Sequence, residues 1–450
     1  MHAMAIPTTR VGKGLLTLFL VTICSLAVRY YVAHLPSLTV QAIYNNGSGQ
    51  SSSTQRTNVL QRILHKALDF SPKSSEESAL NENRTLSRIE RFSQSQPPNS
   101  SYGETFLNSI RQRARLKETH WYSDEKEFVR DSQFLNYLRC PTTVRKKMLQ
   151  EPLSNQKFLP EVPILMYDDH FSHNEYQRLS KFKGIYGWED MDEKELSEAL
   201  KSLHTPNNRY MFDDRFVEGF IPKDVGCTRC AVIGNGGMMN GSKKGKEIDA
   251  HDYVFRVNVA LTKGYEEDLG TKTSFYCFTM VTLSNSLRGG GRLGFKEPPY
   301  EKGIRYVFFA DNDWTYSYLN AVLNNRPAPR SADKYRRTPP NFVKNLQAED
   351  VKLVHPDFQR YLKWSWVNST AQHKTVHRPT TGAIMLLLAL HTCDEVNVYG
   401  FGGSYSKFSE HYYDKKFTKH IFFANHDNNA ENALWKRLHD LGIINLYTRD

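Results

Sequence analysis

Two short polar stretches toward the C-terminal end carry histidine, His411-Tyr-Tyr-Asp414 and His426-Asp-Asn-Asn-Ala-Glu431. Imidazole is the side chain whose ordinary pKa lies closest to neutrality, so two of them in loops offer a general base and a hydrogen-bonding partner for a phosphate. A lone histidine is more often structural or solvated; a pair following one strand carries more weight. Fixed donors stand upstream. The apolar run Cys230-Ala-Val-Ile233 enters Gly234-Asn235-Gly236-Gly237, and a strand followed by a glycine-rich turn brings backbone N–H groups close to a phosphate. The spacing is neither GxGxxG nor GxxxxGK[ST], so a purely structural turn is an equal alternative. A second strand, 253–257, ends in Asn258, which puts Asn235 and Asn258 at the carboxyl ends of strands, where open α/β sheets bind ligands. Pro379-Thr380-Thr381-Gly382 precedes an apolar helix. Either threonine is a natural N-cap, and the free N–H groups of that first turn make an anion site, although a capped buried helix looks the same in sequence.

These residues need a sheet to hold them. Apolar runs predict strands over 230–233, 253–257, 306–310, 352–355, 395–401 and 443–447, with a further one beginning near Thr273. Helical patterns fall over 314–323, 358–366, 381–392 and 429–441, the last with Leu434 and Leu441 on one face. Strands alternating with helices predict an α/β fold with a Rossmann-like, mostly parallel sheet flanked by helices. No internal repeat is visible.

With 450 residues and 39% hydrophobic content, the chain is long enough for one large or two ordinary domains. Its net charge of +11 favours an anionic partner, yet Lys and Arg are dispersed and no nucleic-acid motif is present, so a phosphorylated small molecule fits better than nucleic acid. Residues 14–28, GLLTLFLVTICSLAV, are apolar and uncharged between Lys13 and Arg29. With its flanks this run reaches the ~20 residues of a membrane span, and no small-residue cleavage pattern follows it. The expectation is a cytoplasmic tail over 1–13, a signal-anchor helix over 14–35, a Ser- and Asn-rich flexible lumenal stem over 36–120, and a catalytic domain over 121–450. The shortness of the span suits a thin early-secretory membrane. Sequons at Asn46, Asn83, Asn99 and Asn368 agree with a lumenal location, whereas Asn240, inside the glycine loop, is expected to stay unmodified because a glycan there would interfere. Cys227-Thr-Arg-Cys230 has no partner pair at zinc spacing, so structural disulfides account better for the cysteines beyond Cys24.

In order and spacing, the four stretches resemble the large, small, third and very small motifs of the sialyltransferases, spanning Cys230 to Glu431. Tyr167-Asp-Asp-His-Phe-Ser, the run EIDAHDYVFR over 247–256, Pro379-Thr-Thr-Gly-Ala and Leu434-Trp-Lys-Arg-Leu-His are similar to the α-N-acetylgalactosaminide α-2,6-sialyltransferase branch of types I and II. The resemblance implies a GT-A-like sialyltransferase variant of the α/β fold, with CMP-sialic acid as donor and O-GalNAc glycoproteins as acceptors. It implies a single-pass type II protein of the Golgi membrane with its catalytic domain in the lumen. Asn235 and Asn258 would hold the cytidine monophosphate; Thr381 and Gly382 would stabilise the departing phosphate, with His411 bonded to it. His426 would be the general base, and Glu431 would support that site. Transfer would invert the anomeric carbon and need neither cofactor nor metal. The resemblance also implies the disulfide Cys230–Cys393, and with it Cys140–Cys227, leaving Cys277 as a buried thiol.

Three alternatives stay open at this stage: transfer with another linkage, such as α-2,3 to galactose; a catalytically silent glycan-binding protein; and a metal-dependent transferase using Asp311-Asn-Asp313. Between Leu283 and Gln372 nothing maps onto an acceptor-contacting region. Trp314, Tyr316, Trp364 and Trp366 are candidates to stack on a sugar, with buried core as the commoner role for each.

Overall fold

Short apolar runs become the strands of one sheet in the computed structural model. The structure describes residues 140–449 apart from 141, 153–156, 161, 190, 218–220, 223–225, 333–334, 341, 343–345 and 370–376. The expected tail, anchor and stem, with Asn46, Asn83 and Asn99, lie outside the described residues. No helix among the described residues is long and apolar enough to cross a membrane.

In chain order the strands are β1 (Leu165–Met166), a hairpin of β2 (Phe216–Val217) and β3 (Ile221–Pro222), β4 (Arg229–Ile233), β5 (Tyr253–Val257), β6 (Phe275–Phe278), β7 (Arg305–Phe309), β8 (Val351–Val354), β9 (Glu395–Tyr399) and β10 (Asn445–Leu446). Eight of them form a single sheet in the order β1-β8-β7-β6-β5-β4-β9-β10. All neighbours are parallel except β1, which runs antiparallel to β8 at the edge. A parallel sheet is covered on both faces, so its central strands are buried throughout rather than on alternate residues: every residue of β6 and of β8 is buried, Lys352 included. From β4 the chain builds outward to β8 and then returns to lay β9 on the other side of β4. That reversal leaves a crevice at the carboxyl ends of β4 and β9, the place where doubly wound sheets take ligands.

The helix Thr381–Thr392 packs under β4, β5, β6 and β9. Eleven of its twelve residues are buried, which explains why it is apolar on every side rather than amphipathic. Its His391 is buried too, bonded through Nδ1 to the Leu387 carbonyl and through Nε2 to the Tyr361 hydroxyl, and burial lowers its pKa to about 3. The opposite face of the sheet is covered by the helices Glu193–Lys201 and Asp313–Leu323, which pack on each other, and by Met280–Gly290.

The predicted elements are present with shifted ends. The strand expected over 395–401 stops at Tyr399, because Gly400 turns at φ +71°. The helix expected over 358–366 begins at Pro356, a proline pre-set for a first helical turn and preceded by the capping residue His355, and continues past Tyr361 as a π-helix, Leu362–Val367. The last strand is shortened to β10, since the N–H groups of Ile443 and Ile444 close the preceding helix on the Leu438 carbonyl. The helix Met280–Gly290 had no clear sequence pattern. It starts at a reciprocal cap in which the Thr279 hydroxyl accepts from Thr282 N–H and the Thr279 N–H donates to the Thr282 hydroxyl.

The cysteines pair as Cys140–Cys227 and Cys230–Cys393, across 87 and 163 residues, and the Cys277 thiol is buried. Cys230 is the second residue of β4, and Cys393 is the C-cap of the helix Thr381–Thr392. A crossover helix runs against its strands, so tying the helix's C-terminal end to the start of β4 directs its N-terminal end toward the crevice at the other end of β4. Replacing both Cys230 and Cys393 by serine should cost about 2–5 kcal/mol, the usual loss for a native bridge, read as a lower thermal midpoint. An unchanged midpoint would mean that packing alone orients this helix.

Candidate active site

At the crevice the glycines serve backbone contact. A Cβ on Gly234 would stand 2.5 Å from the Gly400 carbonyl oxygen and 2.9 Å from the Phe401 ring. Gly234 N–H donates to the Tyr399 carbonyl at 2.8 Å and Gly236 N–H to the Gly400 carbonyl at 3.1 Å. The turn that reads as a phosphate cradle is thus filled largely by the chain leaving β9. Phe401 was not singled out in sequence. Its ring also lies 3.2 Å from where a Cβ of Gly382 would be, and it is edge-on to Trp435. Phe401 is the wedge between the loop after β4 and the start of the helix Thr381–Thr392.

The two asparagines meet here. Asn235 Nδ2 donates to the carbonyl of Val257, the last residue of β5, at 3.1 Å, and its own carbonyl accepts from Tyr412 N–H at 3.1 Å. Asn258 follows at φ +53°, a left-handed conformation asparagine tolerates better than most residues. Its Oδ1 is buried without a hydrogen bond, while its carbonyl accepts from the Tyr276 hydroxyl. A buried acceptor left unpaired costs stability, so a ligand donor is the natural complement. The Tyr412 bond brings His411 beside Asn235. The His411 N–H donates to Asp414 Oδ2 at 2.9 Å, and its ring stacks on Tyr413 at 4.8 Å.

The second half of the site is the end of the helix Thr381–Thr392. Thr380 is the N-cap, its hydroxyl accepting from Ala383 N–H at 3.0 Å. This satisfies one of the orphan donors of the first turn. The N–H groups of Thr381 and Gly382 have no partner among the described residues, which is the arrangement that binds anions. Glu431 holds the cap: its carboxyl accepts from Thr380 N–H at 2.8 Å and from the Thr380 hydroxyl at 2.7 Å. Burial raises the Glu431 pKa to about 7 against those two bonds. Glu431 is therefore placed to position the helix end.

Three residues before Thr381, the Arg378 carbonyl accepts from His426 Nδ1–H at 3.0 Å. That bond selects the tautomer in which Nε2 keeps its lone pair. Burial lowers the His426 pKa, and the nearby Arg378 and His377 act in the same direction, so the ring is neutral and basic near neutral pH.

Other sequence candidates fall elsewhere. Asp311 is buried and has its pKa raised by that burial, Asp313 bonds to Trp314 N–H in a helix's first turn, and among the described residues no three His, Cys, Asp or Glu converge as metal ligands. Trp314, Tyr316 and Trp366 are each only 2% exposed, in the core, whereas Trp364 is 37% exposed. Asn240 spends its side-chain N–H on the Tyr412 carbonyl, and Asn368 is exposed beside Trp364.

Residues 165–443 match the family described as Glycosyltransferase family 29 (sialyltransferase). The Alpha-N-acetylgalactosaminide alpha-2,6-sialyltransferase 2 of Homo sapiens is 42% identical over 318 residues, 69% of this chain and 83% of that protein. Its Mus musculus counterpart is 40% identical over 295 residues, 64% of this chain and 77% of that protein. A solved structure described as "Crystal Structure of a Mammalian Sialyltransferase" is similar at a TM-score of 0.48 and 23% identity, over 68% of this chain and 97% of that one.

The Glu431 carboxyl makes a pH-dependent contribution whose sign can be stated. Its folded pKa lies above the ordinary 4.5, so the contribution is fully present below that pH and is lost as pH rises through about 7. Glu431→Gln should flatten the fall in melting temperature between about pH 5 and about pH 7.5. An unaltered slope would mean that this carboxyl does not titrate in the buried cap.

Proposed function

This chain belongs to glycosyltransferase family 29, the sialyltransferases, and we propose that it moves sialic acid from CMP-sialic acid to the 6-hydroxyl of GalNAc O-linked to Ser or Thr of glycoproteins. The names carried by its 40–42% identical relatives support this acceptor and linkage. One observation carries the mechanism: a helix end with two free N–H groups and a histidine with its Nε2 lone pair free are joined through the single segment Arg378–Thr381.

In this reading Asn235 and Asn258 hold the nucleotide, the unpaired Asn258 Oδ1 taking a donor from it. His426 Nε2 removes the proton of the acceptor hydroxyl as that oxygen attacks the anomeric carbon of sialic acid from the face opposite the phosphate. The carbon–oxygen bond to phosphate breaks, its electron pair leaves on CMP, and the configuration inverts. The growing phosphate charge is met by the N–H groups of Thr381 and Gly382 and by His411. One base and several fixed donors suffice, so no cofactor or metal is required. The apolar run at 14–28 with its flank to 35 and the sequons at Asn46, Asn83, Asn99 and Asn368 support a type II protein of the Golgi membrane, with its catalytic domain in the lumen, no nucleic-acid partner, and glycans at those sequons.

The test uses the full chain in detergent, CMP-sialic acid and paired GalNAc-Ser/Thr and Gal-GalNAc-Ser/Thr glycopeptides, with EDTA present. Transfer to O6 of GalNAc is expected, with His426→Ala lowering kcat by about 100-fold or more, the usual scale of a lost general base. Transfer to galactose, or loss of activity in EDTA, would overturn the linkage or the metal-free mechanism respectively. The pH profile gives a second check. The neutral ring is the base and its pKa is lowered, so the acidic limb of kcat/KM should lie below the ordinary histidine value of 6.5. A limb at or above 6.5 would remove His426 from that role.

A further inference from the structure

Between His411 and His426 the chain leaves its apolar side chains outside. Phe417, Ile421, Phe422 and Phe423 are each 54–61% exposed, four large apolar residues within one loop. Single exposed hydrophobics are ordinary on a protein surface, whereas a group of them rimmed by polar residues marks an interaction site. Three lysines supply the rim. Lys415, Lys416 and Lys419 are exposed, and none makes an ion pair or an ammonium hydrogen bond among the described residues. The carboxylates closest in sequence are already engaged. Asp414 accepts from the His411 N–H and from the Ser409 hydroxyl, and Glu410 lies 3.9 Å from His420 Nδ1.

The loop is held in this attitude by its own contacts. Glu410 N–H donates to the Thr418 carbonyl at 2.9 Å, and Thr418 N–H donates to the Ser409 hydroxyl at 2.9 Å. The His420 ring stacks on Tyr405 with centroids 4.2 Å apart, and its Nε2 pairs with the Asn428 side-chain amide at 2.9 Å. Phe422 stands edge-on to both of those rings, at 5.3 and 4.7 Å. Tyr405 and His420 thus take the inner positions and leave the neighbouring apolar groups outside. Side chains held outward in this way recover their hydrophobic free energy only when a partner covers them.

The place of the loop identifies the partner. The Phe423 carbonyl accepts from His426 N–H at 3.0 Å, so the patch runs directly into the segment that carries the base. On the transferase reading above, a single sugar ring separates the attacking hydroxyl from the Ser or Thr that bears it. The polypeptide flanking that residue must therefore cross the rim of the site, where this loop stands. Apolar side chains among three uncompensated cations suit an extended peptide with apolar residues and carboxylates beside its glycosylated residue. A lipid surface fits less well, because seating the patch in a bilayer would turn His426 toward the membrane and away from a glycoprotein.

We propose that residues 415–423 dock the polypeptide of the acceptor, the four apolar side chains covering its apolar residues and the three lysines meeting its carboxylates. The proposal rests on the transferase reading and adds what that reading leaves open, the choice among glycosylated Ser and Thr residues.

The experiment gives the full chain three acceptors: a GalNAc-peptide with Asp and Leu flanking the glycosylated Thr, the same peptide with Lys in place of Asp, and methyl α-GalNAc, which has no peptide. Kinetics are read in detergent and again in vesicles of phosphatidylcholine and phosphatidylserine. The variants are the triple charge reversal Lys415→Glu, Lys416→Glu, Lys419→Glu and the double substitution Phe417→Ser, Ile421→Ser. In the wild-type chain KM is expected to be about threefold to tenfold lower for the acidic peptide than for the basic one. The charge reversal should invert that order, a result that a loss of folding does not produce. The serine double should raise KM about threefold to tenfold for both peptides, leaving methyl α-GalNAc and donor KM unmoved. An unchanged order of the peptides in the charge reversal overturns the proposal, as does an equal change for the acceptor without peptide. A rise in donor KM overturns it by placing the loop over the nucleotide. An effect confined to vesicles and absent in detergent overturns it by making the loop a membrane contact. Fluorescence anisotropy of the two labelled peptides, read without donor, separates the proposal from the transferase reading. Inverted affinities in the charge reversal keep the surface even where the wild-type chain transfers to galactose or not at all, and equal affinities in the wild-type chain overturn it.

Discussion

The site depends on two backbones lying closer than any side chain would allow. At the end of β4 and the end of β9, Gly234 and Gly400 face each other so tightly that a Cβ on either would stand 2.5 Å from the other's carbonyl oxygen. Close packing in an interior tolerates no such overlap, so the absence of side chains at these two positions is what lets the loops after β4 and β9 meet. From that meeting Asn235 reaches β5, Tyr412 docks on the Asn235 carbonyl, and Phe401 fills the gap to the helix Thr381–Thr392.

That helix is held at both ends by different means. At its C-terminal end the Cys230–Cys393 bridge ties it to the beginning of β4, and Arg145 donates to the Cys393 carbonyl. At its N-terminal end the cap is made by a side chain some fifty residues later, Glu431, on the last helix. The result is a helix end kept rigid and only partly satisfied. Thr380 and Glu431 use the cap positions, and the next two N–H groups have no partner among the described residues. A preorganised donor pair of this kind does not have to reorient as negative charge develops, which is what it would offer a departing phosphate in the proposed transfer.

Charge is arranged with similar economy. His426 is kept neutral by burial and turned by one backbone carbonyl, so its basic nitrogen needs no acidic partner. Glu431, expected from the resemblance to support the site of His426, is bonded to the threonine cap. Arg378 holds the His426 ring through its carbonyl, and its guanidinium, near Trp364, makes no hydrogen bond or ion pair among the described residues.

By itself the sequence determined the local chemistry: which residues could act as base, cap or amide donor, and that apolar runs alternating with helical patterns would build a parallel sheet. Those properties belong to short segments, and periodicity and capping are local physics, so Asn235, Asn258, Thr381, His411 and His426 were legible in sequence as candidates. Element ends were less so, because Gly400, Pro356 and the turn after Leu438 set them through backbone geometry. Only the tertiary structure decided what lies beside what. Phe401 between two glycines, Glu431 on Thr380, and Lys363 over the ring of Tyr186 are contacts between segments far apart in the chain. Such contacts depend on how the layers pack and on which strand the chain returns to, and no periodicity within a single segment records either.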